Sequence, residues 1–345
     1  VRKGNALVRL NRRLILWAIR DPKPFCDTNY VKGYTRVFTL GAVLSSKKLS
    51  MDFQDIASGN ILEYNPATIY SPGLFINTSL FGFSITPSFI AIHPNSKKTG
   101  TSDFNDFQFN IYAKRFFYDI SLQLYSGFYL NNTHAYKEFQ DVEHYYKRPD
   151  LDAISGNFNI YYVFNNKKFS FRAPFSFTQS QIKSAGSVVI GTYLSNFAFT
   201  AKSSVIDGRL NSSFKDFPSM KSGNSFSTGL SLGYAYTYVL KKKFYVSTAL
   251  IPGLGTNKTN LERMDSTVFT GKNDVSVKLK FTFGIGYNTD KWFLGWMLLT
   301  DNYYGSSTST PIEISYQVSK LRFFLFFRFN AKKMEDKILK KFKII

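Results

Sequence analysis

The most regular feature of the chain is an alternation of apolar and polar positions with a period of two. Over residues 274–287 every odd position is apolar, whereas every even position is polar or small. Residues 225–238, 154–164, 169–177 and 322–329 follow similar patterns. Successive side chains of a β-strand point to opposite faces of its sheet, so this alternation indicates strands. The sequence therefore predicts an all-β protein.

A water-soluble β-sandwich also alternates, because one face of each of its sheets is buried. Three features favour a membrane barrel instead. The alternating runs extend over about 10–16 residues, whereas soluble strands usually have about 5–6 and tilted membrane strands need about 9–11. Charged residues interrupt the polar faces in mid-strand. The apolar faces end in aromatic residues that suit a membrane interface, namely Tyr236, Tyr238, Tyr287, Trp292 and Trp296.

The polar faces of the predicted strands would line the lumen of such a barrel. The charged residues assigned to the lumen are Lys114, Arg172, Lys278, Lys280, Glu313, Arg322 and Arg328. Lysines that face a lumen can select anions by their charge. Alternatively, a lumen carboxylate such as Glu313 or Asp119 neutralises them, and the sequence leaves both interpretations open.

Short polar turns set the predicted number of strands. They lie at residues 45–48, 80–82, 115–119, 165–168, 195–197, 241–243, 288–291 and 318–320. Longer connections lie near 55–64, 92–103, 131–152, 178–186, 207–223, 254–272 and 303–308. Outer-membrane barrels have short periplasmic turns and longer extracellular loops. We therefore predict a transmembrane antiparallel up-and-down β-barrel of about 16 strands, with 14 as the alternative and both termini in the periplasm.

Three parts of the chain are distinguished. Residues 1–30 are predicted to be a periplasmic N-terminal segment, residues 31–330 the barrel, and residues 331–345 a basic periplasmic tail. Apolar residues recur at helical spacing between Leu7 and Trp17, with arginines among them. This predicts either a helix packed against the barrel base or an amphipathic helix on the inner leaflet.

The net positive charge is concentrated in particular segments of the chain. The chain has 44 Lys and Arg and 23 Asp and Glu, a formal charge of +21. A nucleic-acid-binding protein can carry such a charge, but the sequence offers no basic helix for a groove. Most of the excess lies in the first 36 residues, the last 15 and the predicted short turns. The predicted periplasmic basic rim contains Lys47, Lys48, Lys167, Lys168, Lys241, Lys242, Lys243, Lys340 and Lys341.

Signals of catalysis are scarce. His134 and His144 lie in one predicted loop near three carboxylates, where a solvated loop is a more ordinary interpretation than a metal site. Cys26 is the one cysteine, so no disulfide forms within the chain. No phosphate-binding loop, dinucleotide fingerprint or serine elbow occurs. We therefore expect no enzyme, no cofactor and no metal.

Several short motifs stand at predicted strand ends and turns. They are Tyr161-Tyr162-Val163-Phe164-Asn165, Lys168-Phe169-Ser170, Arg172-Ala173, Ser184-Ala185-Gly186-Ser187, Asp27-Thr28-Asn29-Tyr30, Arg148-Pro149-Asp150 and Gly233-Tyr234-Ala235-Tyr236. With them the chain resembles, over about residues 25–330, the Bacteroidota family called domain of unknown function 4421. It departs at Tyr64-Asn65-Pro66-Ala67, where an Asn is expected after the proline. The resemblance implies an outer-membrane barrel of a Gram-negative bacterium and implies no activity.

Two functions from different classes follow from this barrel. The first is a structural or accessory subunit of a larger cell-envelope complex, which docks through the basic periplasmic rim on other envelope proteins and touches outer-membrane lipids. The second is a channel or transporter for a small anionic solute, unless inward tyrosines or the N-terminal segment fill the lumen. A lipid-modifying enzyme is a third, less favoured hypothesis, and no nucleic-acid partner is expected.

Overall fold

The computed structural model of the protein describes residues 26–34, 37–77, 82–85, 91–112, 115–175, 178–214, 219–306 and 310–330. Its strands are β1 (Val31–Gly33), β2 (Val37–Asp55), β3 (Ile61–Asn65), β4 (Tyr70–Asn77), β5 (Gly82–Ile85), β6 (Asp103–Tyr112), β7 (Phe116–Leu130), β8 (Tyr146–Val163), β9 (Gln179–Gln181), β10 (Ala185–Ala201), β11 (Met220–Leu240), β12 (Phe244–Arg263), β13 (Val268–Asn288), β14 (Trp292–Gly305) and β15 (Ile312–Asn330). A short helix, α1 (Ser96–Thr99), and three single 3-10 turns, Thr133–Ala135, Lys137–Phe139 and Gly208–Leu210, lie between them. Within these ranges, no helix has the length and apolar character to cross a membrane.

Ten strands of the described chain close into a ring. Each pairs antiparallel with its neighbours in the order β2, β3, β7, β8, β10, β11, β12, β13, β14 and β15, and β15 pairs again with β2. Beside this ring, β4 and β5 extend the sheet from β2, β6 pairs with β7, and β1 and β9 form a separate two-stranded sheet. Closure pairs the backbone groups that an open sheet leaves at its edges. The all-β antiparallel barrel is therefore confirmed.

The alternation of the sequence sorts the side chains between lumen and outer wall. In β13, Lys278 is fully buried, whereas its neighbour Val277 is 43% exposed. In β11, Ser231 is buried between Leu230 and Leu232, which are 69% and 60% exposed. In these two strands the polar or small face therefore faces the lumen, and the apolar face forms the outer wall, as predicted.

The two ends of the barrel differ. The turn end carries the tight turns 241–243 and 289–291, together with the start of β2 and the finish of β15. The loop end carries the longer segments 131–145 and 202–219. Because β2 starts and β15 finishes at the turn end, the first and last ring strands both lead to that end.

The ten ring strands do not confirm the predicted 16, or 14. Three of the predicted turns, 45–48, 195–197 and 318–320, lie inside β2, β10 and β15. Ser45 and Ser195 are buried there, facing the lumen. A polar stretch in the middle of a lumen-facing strand looks like a turn in the sequence, because both are polar. The three segments are therefore parts of strands rather than turns, and the count of 16 is not confirmed.

The connection from β8 to β10 also differs from the prediction. The alternation over residues 169–177 predicted a strand, but the described part of it forms bends and turns against the barrel end. Consequently the connections 165–168 and 178–186, which were predicted on opposite sides of the membrane, both lie at the turn end.

The predicted boundaries at residues 30 and 330 stay predictions. The predicted N-terminal helix, within residues 1–25, and the tail, residues 331–345, lie outside the described residues. Residues 26–34 join the cover of the turn end, where the Asp27 amide donates to the Lys167 carbonyl at 2.8 Å.

Candidate functional site in the barrel lumen

Two loops fold into the loop end of the lumen. Val205 and Phe214, both in segment 202–219, are fully buried, and they belong to one apolar cluster with the equally buried Phe139 of the other loop. The barrel wall holds them, since the Tyr64 hydroxyl donates to the Val205 carbonyl at 2.7 Å. These residues form an apolar layer across the loop end.

Arg148 anchors this layer. Its guanidinium is 2% exposed, and Nη1 donates to the carbonyls of Ser204 at 2.8 Å and Val205 at 3.0 Å. Nε donates to Asp150 Oδ1 at 2.8 Å, and the same carboxylate accepts from the Ser203 hydroxyl at 2.8 Å. The Arg148-Pro149-Asp150 motif of the sequence therefore fixes a loop in the lumen.

Asp207 fastens the same loop to the first residue of β8. Its carboxylate accepts from the Tyr146 hydroxyl at 2.6 Å and from the Arg209 amide at 2.9 Å. Burial raises the pKa of Asp207, but the hydrogen bonds from Arg209 and Tyr146 outweigh burial and lower that pKa below its ordinary value. The ionised carboxylate is thus the form that holds the loop in place.

A second apolar layer closes the turn end. Phe169 and Phe171 are 2% and 7% exposed, and the Phe171 ring stacks on Phe117 with 5.0 Å between centroids. Tyr245 from the barrel wall donates its hydroxyl to the Pro174 carbonyl at 3.2 Å. The segment between β8 and β10 therefore covers the lumen at this end.

Charged side chains bridge the lumen between the two layers. Lys280 Nζ donates to Asp119 Oδ2 at 2.8 Å and to Asp301 Oδ2 at 2.7 Å. Lys278 Nζ lies 3.5 Å from Asp301 Oδ1 and donates to Asn159 Oδ1. Asp119 belongs to β7 and both lysines to β13, and these strands are five places apart in the ring of ten. The Lys280–Asp119 ion pair therefore crosses the lumen, whereas Asp301 lies directly opposite Lys280 on the neighbouring strand β14.

The charged contacts continue towards β2 and β15. Gln108 Nε2 donates to Asp119 Oδ1 at 3.3 Å, and Gln108 Oε1 accepts from Lys320 Nζ at 2.9 Å. Lys47 Nζ lies 3.1 Å from Asp106 Oδ1. We call the connected charged residues and their neighbour Arg322 the lumen charge cluster: Lys47, Asp106, Asp119, Lys278, Lys280, Asp301, Lys320 and Arg322.

Four of the residues predicted in the lumen do face it, namely Lys278, Lys280, Arg322 and Arg328. Arg328 lies in the turn-end layer, where Nη1 donates to Asn288 Oδ1 at 2.9 Å and the guanidinium lies 4.0 Å from the centre of the Tyr34 ring. For Lys280, neutralisation by Asp119 is the interpretation that the contacts support.

The other three predicted lumen residues are placed differently. Glu313 alternates with the buried Ile312 and Ile314, so it lies on the outer face of β15, and its predicted place in the lumen is corrected. Arg172 lies in the bent segment at the turn end rather than on a lumen strand. Lys114 lies outside the described residues.

Sequence reasoning missed four members of the lumen charge cluster. Lys47 and Lys320 were assigned to turns, and Asp106 and Asp301 were not singled out. The signal that could have found them is the alternation itself. Lys47 is two residues before the buried Leu49 and so lies on the same face of β2, and Lys320 shares a face of β15 with Arg322 in the same way.

The predicted basic rim is partly reproduced at the turn end. Residues 241–243 and 167–168 are exposed lysines in turns there. Lys47 and Lys48 are corrected: both lie within β2, Lys47 facing the lumen and Lys48 the outside. They were misplaced because the polar stretch 45–48 looked like a turn. Lys340 and Lys341 lie outside the described residues.

The five predicted interface aromatics all lie on the outer wall near the turn end. Tyr236, Tyr238 and Trp292 are 38%, 51% and 44% exposed, and Tyr287 and Trp296 are half-buried against neighbours. Rings pair around this rim, as between Phe244 and Tyr287 at 4.9 Å. Aromatic residues gathered towards one end of the outer wall are typical of an interfacial girdle.

The described part of the chain holds no group of three or more His, Cys, Asp or Glu side chains that could bind a metal ion. His134 lies in the loop-end cover, 6.2 Å from the Tyr145 ring, and His144 Nε2 lies 3.8 Å from the exposed Glu143. Neither contact resembles a catalytic arrangement of base and nucleophile.

Comparison with known proteins assigns the chain to a family. The model of a family described as domain of unknown function (DUF4421) matches residues 26–329. No curated protein matches the chain. Among solved structures, the chain is similar to the outer membrane protease OmpT from Escherichia coli, with 10% identity, a TM-score of 0.39 and coverage of 88% of this chain and 100% of that one. It is also similar to the translocator domain of the autotransporter NalP from Neisseria meningitidis, with 7% identity, a TM-score of 0.34 and coverage of 94% of this chain and 95% of that one. A third similar structure is the toluene transporter TodX from Pseudomonas putida, with 7% identity, a TM-score of 0.23 and coverage of 86% of this chain and 90% of that one. Structural similarities as distant as these do not indicate an activity.

Proposed function

The chain belongs to the family of the domain of unknown function DUF4421, a description that names no activity, and from this premise we propose a function on the geometry of the barrel. The protein is an integral β-barrel of the bacterial outer membrane with a closed lumen. It serves as a structural or accessory subunit of a larger cell-envelope complex and docks on that complex through the cations of its turn end.

The outer wall supports the membrane location. Leu254 and Val275, at 64% and 54% exposed, belong to a continuous apolar surface that a soluble protein would not leave in water. In β13 the apolar outer positions run from Val275 to Tyr287. Twelve residues of strand measure about 40 Å, or about 29 Å at a tilt of roughly 45°, close to the apolar band of about 25 Å on outer-membrane barrels. The short turns favour a periplasmic turn end.

The outer wall also contains a wide groove near the turn end. It has a volume of about 1040 Å³, and apolar residues of six neighbouring strands, β11 to β15 and β2, line it. Leu44, Leu294 and Phe323 are among them. Such a surface suits contact with acyl chains, which supports an orientation that places this region within the bilayer.

The filled lumen supports a structural role over an open pore. Loops close one end, the segment between β8 and β10 covers the other, and the Lys280–Asp119 ion pair crosses the middle. A solute would have to displace all three. A conducting channel of this class instead keeps a polar, water-filled interior.

The observation that carries the docking proposal is the charge of the turn end. Its exposed cations in the described residues are Lys32, Arg115, Lys167, Lys168, Lys183, Lys241, Lys242, Lys243 and Lys291. Asp27 and Asp290 oppose them, and Asp290 is already paired with Lys32 at 2.7 Å. The turn end therefore presents a strong positive field to an acidic partner.

Two of these lysines occupy a backbone that does not favour them. Lys241 and Lys242 have φ angles of 51° and 58°, the left-handed region that Gly and Asn adopt at lower cost. Asn and Gly at these two positions would stabilise the turn better than lysine does. Lysine at both positions is therefore explained by a role of the two charges in docking rather than in folding.

The test is co-purification in mild detergent from the native cells. The variant Lys241→Glu/Lys242→Glu/Lys243→Glu should lose the acidic partner that the unchanged protein retains. A second variant, Lys241→Asn/Lys242→Gly, removes two charges while improving the turn, so it should fold as well as the parent and still bind less partner.

The matched control reverses three exposed lysines away from the turn end, Lys97→Glu/Lys98→Glu/Lys137→Glu. It makes the same change in net charge and should keep the partner. Equal recovery of a partner with all variants, or recovery of none with the unchanged protein, would overturn the docking proposal.

One observation favours the second candidate, a channel for a small anionic solute. The lumen charge cluster holds five cations and only three carboxylates. Recordings from the purified barrel in planar bilayers decide between the two. We expect no conductance, and anion-selective steps would favour the channel. That the source is a Bacteroidota species and that the protein is not an enzyme stay predictions.

A further inference from the structure

We propose that the lumen charge cluster contains a binding site for a phosphate-class oxyanion, formed by Arg322, Lys320 and Lys47. This inference goes beyond the docking role, because it concerns the interior of the barrel and none of the turn-end lysines.

The three cations are held close together by the register of two strands. Lys320 of β15 lies directly opposite Lys47 of β2, and Arg322 lies opposite Ser45. All four positions face the lumen, because each alternates with outward residues. Directly opposed side chains of neighbouring strands lie about 5 Å apart at Cβ, where like charges destabilise the sheet. Two lysines and an arginine in this patch therefore require an opposite charge.

The carboxylates of the described residues supply too little negative charge to balance these cations. Lys278 and Lys280 are balanced by Asp119 and Asp301. Lys47 pairs with Asp106. For the remaining two cations the hydrogen-bond partners are neutral: Lys320 donates to the Gln108 side-chain carbonyl at 2.9 Å and Arg322 Nε to the Ser45 hydroxyl at 3.1 Å. The carboxylate of Asp106 acts electrostatically on both, but it also pairs with Lys47, so three cations share it. Cations that share one counter-charge in a largely enclosed interior are costly.

The geometry of Arg322 indicates which anion fits. Its Nε is used by Ser45, whereas among the described residues neither Nη group has a hydrogen-bond partner. A guanidinium with free Nη groups binds a tetrahedral oxyanion through two parallel bonds, and lysine ammonium groups add point charges. Phosphate carries up to two negative charges near neutral pH, which matches the two positive charges that the shared Asp106 leaves unbalanced.

The site also retains accessible surface inside the barrel, although the lumen is covered at both ends. The side chain of Lys47 is 19% exposed, and Lys320 and Arg322 are half-buried. Lys278 and Lys280, by contrast, are at most 2% exposed and are occupied by carboxylates. The anion would therefore bind at the β2–β15 side of the cluster, not at its centre.

The experiment is a titration of the purified full chain in detergent, prepared without phosphate, at constant ionic strength with chloride. Inorganic phosphate should bind saturably by calorimetry and raise the unfolding temperature. Arg322→Gln should weaken the phosphate affinity at least about tenfold, as expected for bonds between charged groups. Arg322→Lys should recover part of it. Lys258→Gln, an exposed cation on the outer wall, is the matched control and should leave the affinity unchanged.

Parallel arms identify the source of the anion. Binding of inorganic phosphate indicates the free ion, and binding of glycerol 3-phosphate alone indicates a phosphomonoester; either supports the site. Equal binding of acetate, or no binding of any phosphate probe by the unchanged protein, overturns it. If Lys320 is instead deprotonated, Lys320→Met stabilises the barrel and phosphate has no effect, which also overturns the proposal.

Discussion

Removing one carboxylate from the centre of the lumen tests whether the buried lumen ion pairs stabilise the barrel. The change is Asp301→Asn, which keeps the shape of the side chain and removes its charge. Asp301 contacts Lys280 at 2.7 Å and Lys278 at 3.5 Å. After the change, both lysines share Asp119 alone.

The expected loss follows from burial. Lys278 and Lys280 are 0% and 2% exposed, so water does not screen the charge that Asp301 leaves unpaired. Removing one partner of a buried pair typically costs about 3–5 kcal/mol. We expect a loss of this size in the free energy of unfolding, which corresponds to a factor of about a hundred or more in the unfolding equilibrium.

Unfolding in guanidinium chloride and detergent micelles measures this free energy. The double variant Lys278→Met/Asp301→Asn removes one charge of each sign and leaves the Lys280–Asp119 pair. Because it restores the local balance, it should recover most of the stability that the single change removes. If the free energy of unfolding of Asp301→Asn is within about 1 kcal/mol of that of the parent, or if the double variant is the less stable of the two, the ion pairs of Asp301 do not stabilise the barrel.

Three further results are expected. A Gly255→Val change drives its side chain into the backbone of β11 and should lower the free energy of unfolding by about 1–3 kcal/mol in the same assay; an unchanged midpoint would contradict this packing. The bonds of Asp207 should be fully present above the ordinary aspartate pKa of about 4 and be lost as the pH falls through its lowered folded value, so hydrogen exchange at the Arg209 amide should quicken in that window and Asp207→Asn should abolish the dependence. Lipids brominated deep in their chains should quench Trp296 more than Trp292 in single-tryptophan variants, since Trp296 lies about 10 Å further into the bilayer; the reverse order would contradict the proposed orientation.

Strand faces and the composition of the turn end could be read from the sequence. The alternation around Lys278 assigned that residue to the lumen and Val277 to the outer wall, and Lys278 is fully buried whereas Val277 is 43% exposed. Lysines 241–243 lie in a tight turn as predicted. These features are local, because a period of two fixes the direction of each side chain relative to its neighbours and a tight turn needs only adjacent residues.

The number of strands could not be read in the same way. Residues 45–48 and 318–320 are polar because they face a lumen, and a polar stretch also marks a turn. Residues 169–177 alternate like a strand, yet the described part of them covers the turn end, where Phe171 packs on Phe117. Whether such a segment forms a turn, a strand or a cover depends on the residues that the closed ring places beside it.

By itself, the sequence determined that the protein is an all-β barrel with an apolar outer wall, a polar lumen and cations gathered at one end. Only the tertiary structure decided that the lumen is closed and that its charges form pairs. Asp119 and Lys280 are separated by 161 positions in the chain and lie on opposite sides of the ring. Their contact depends on the diameter and register of the closed barrel, and a periodic pattern along one strand contains neither.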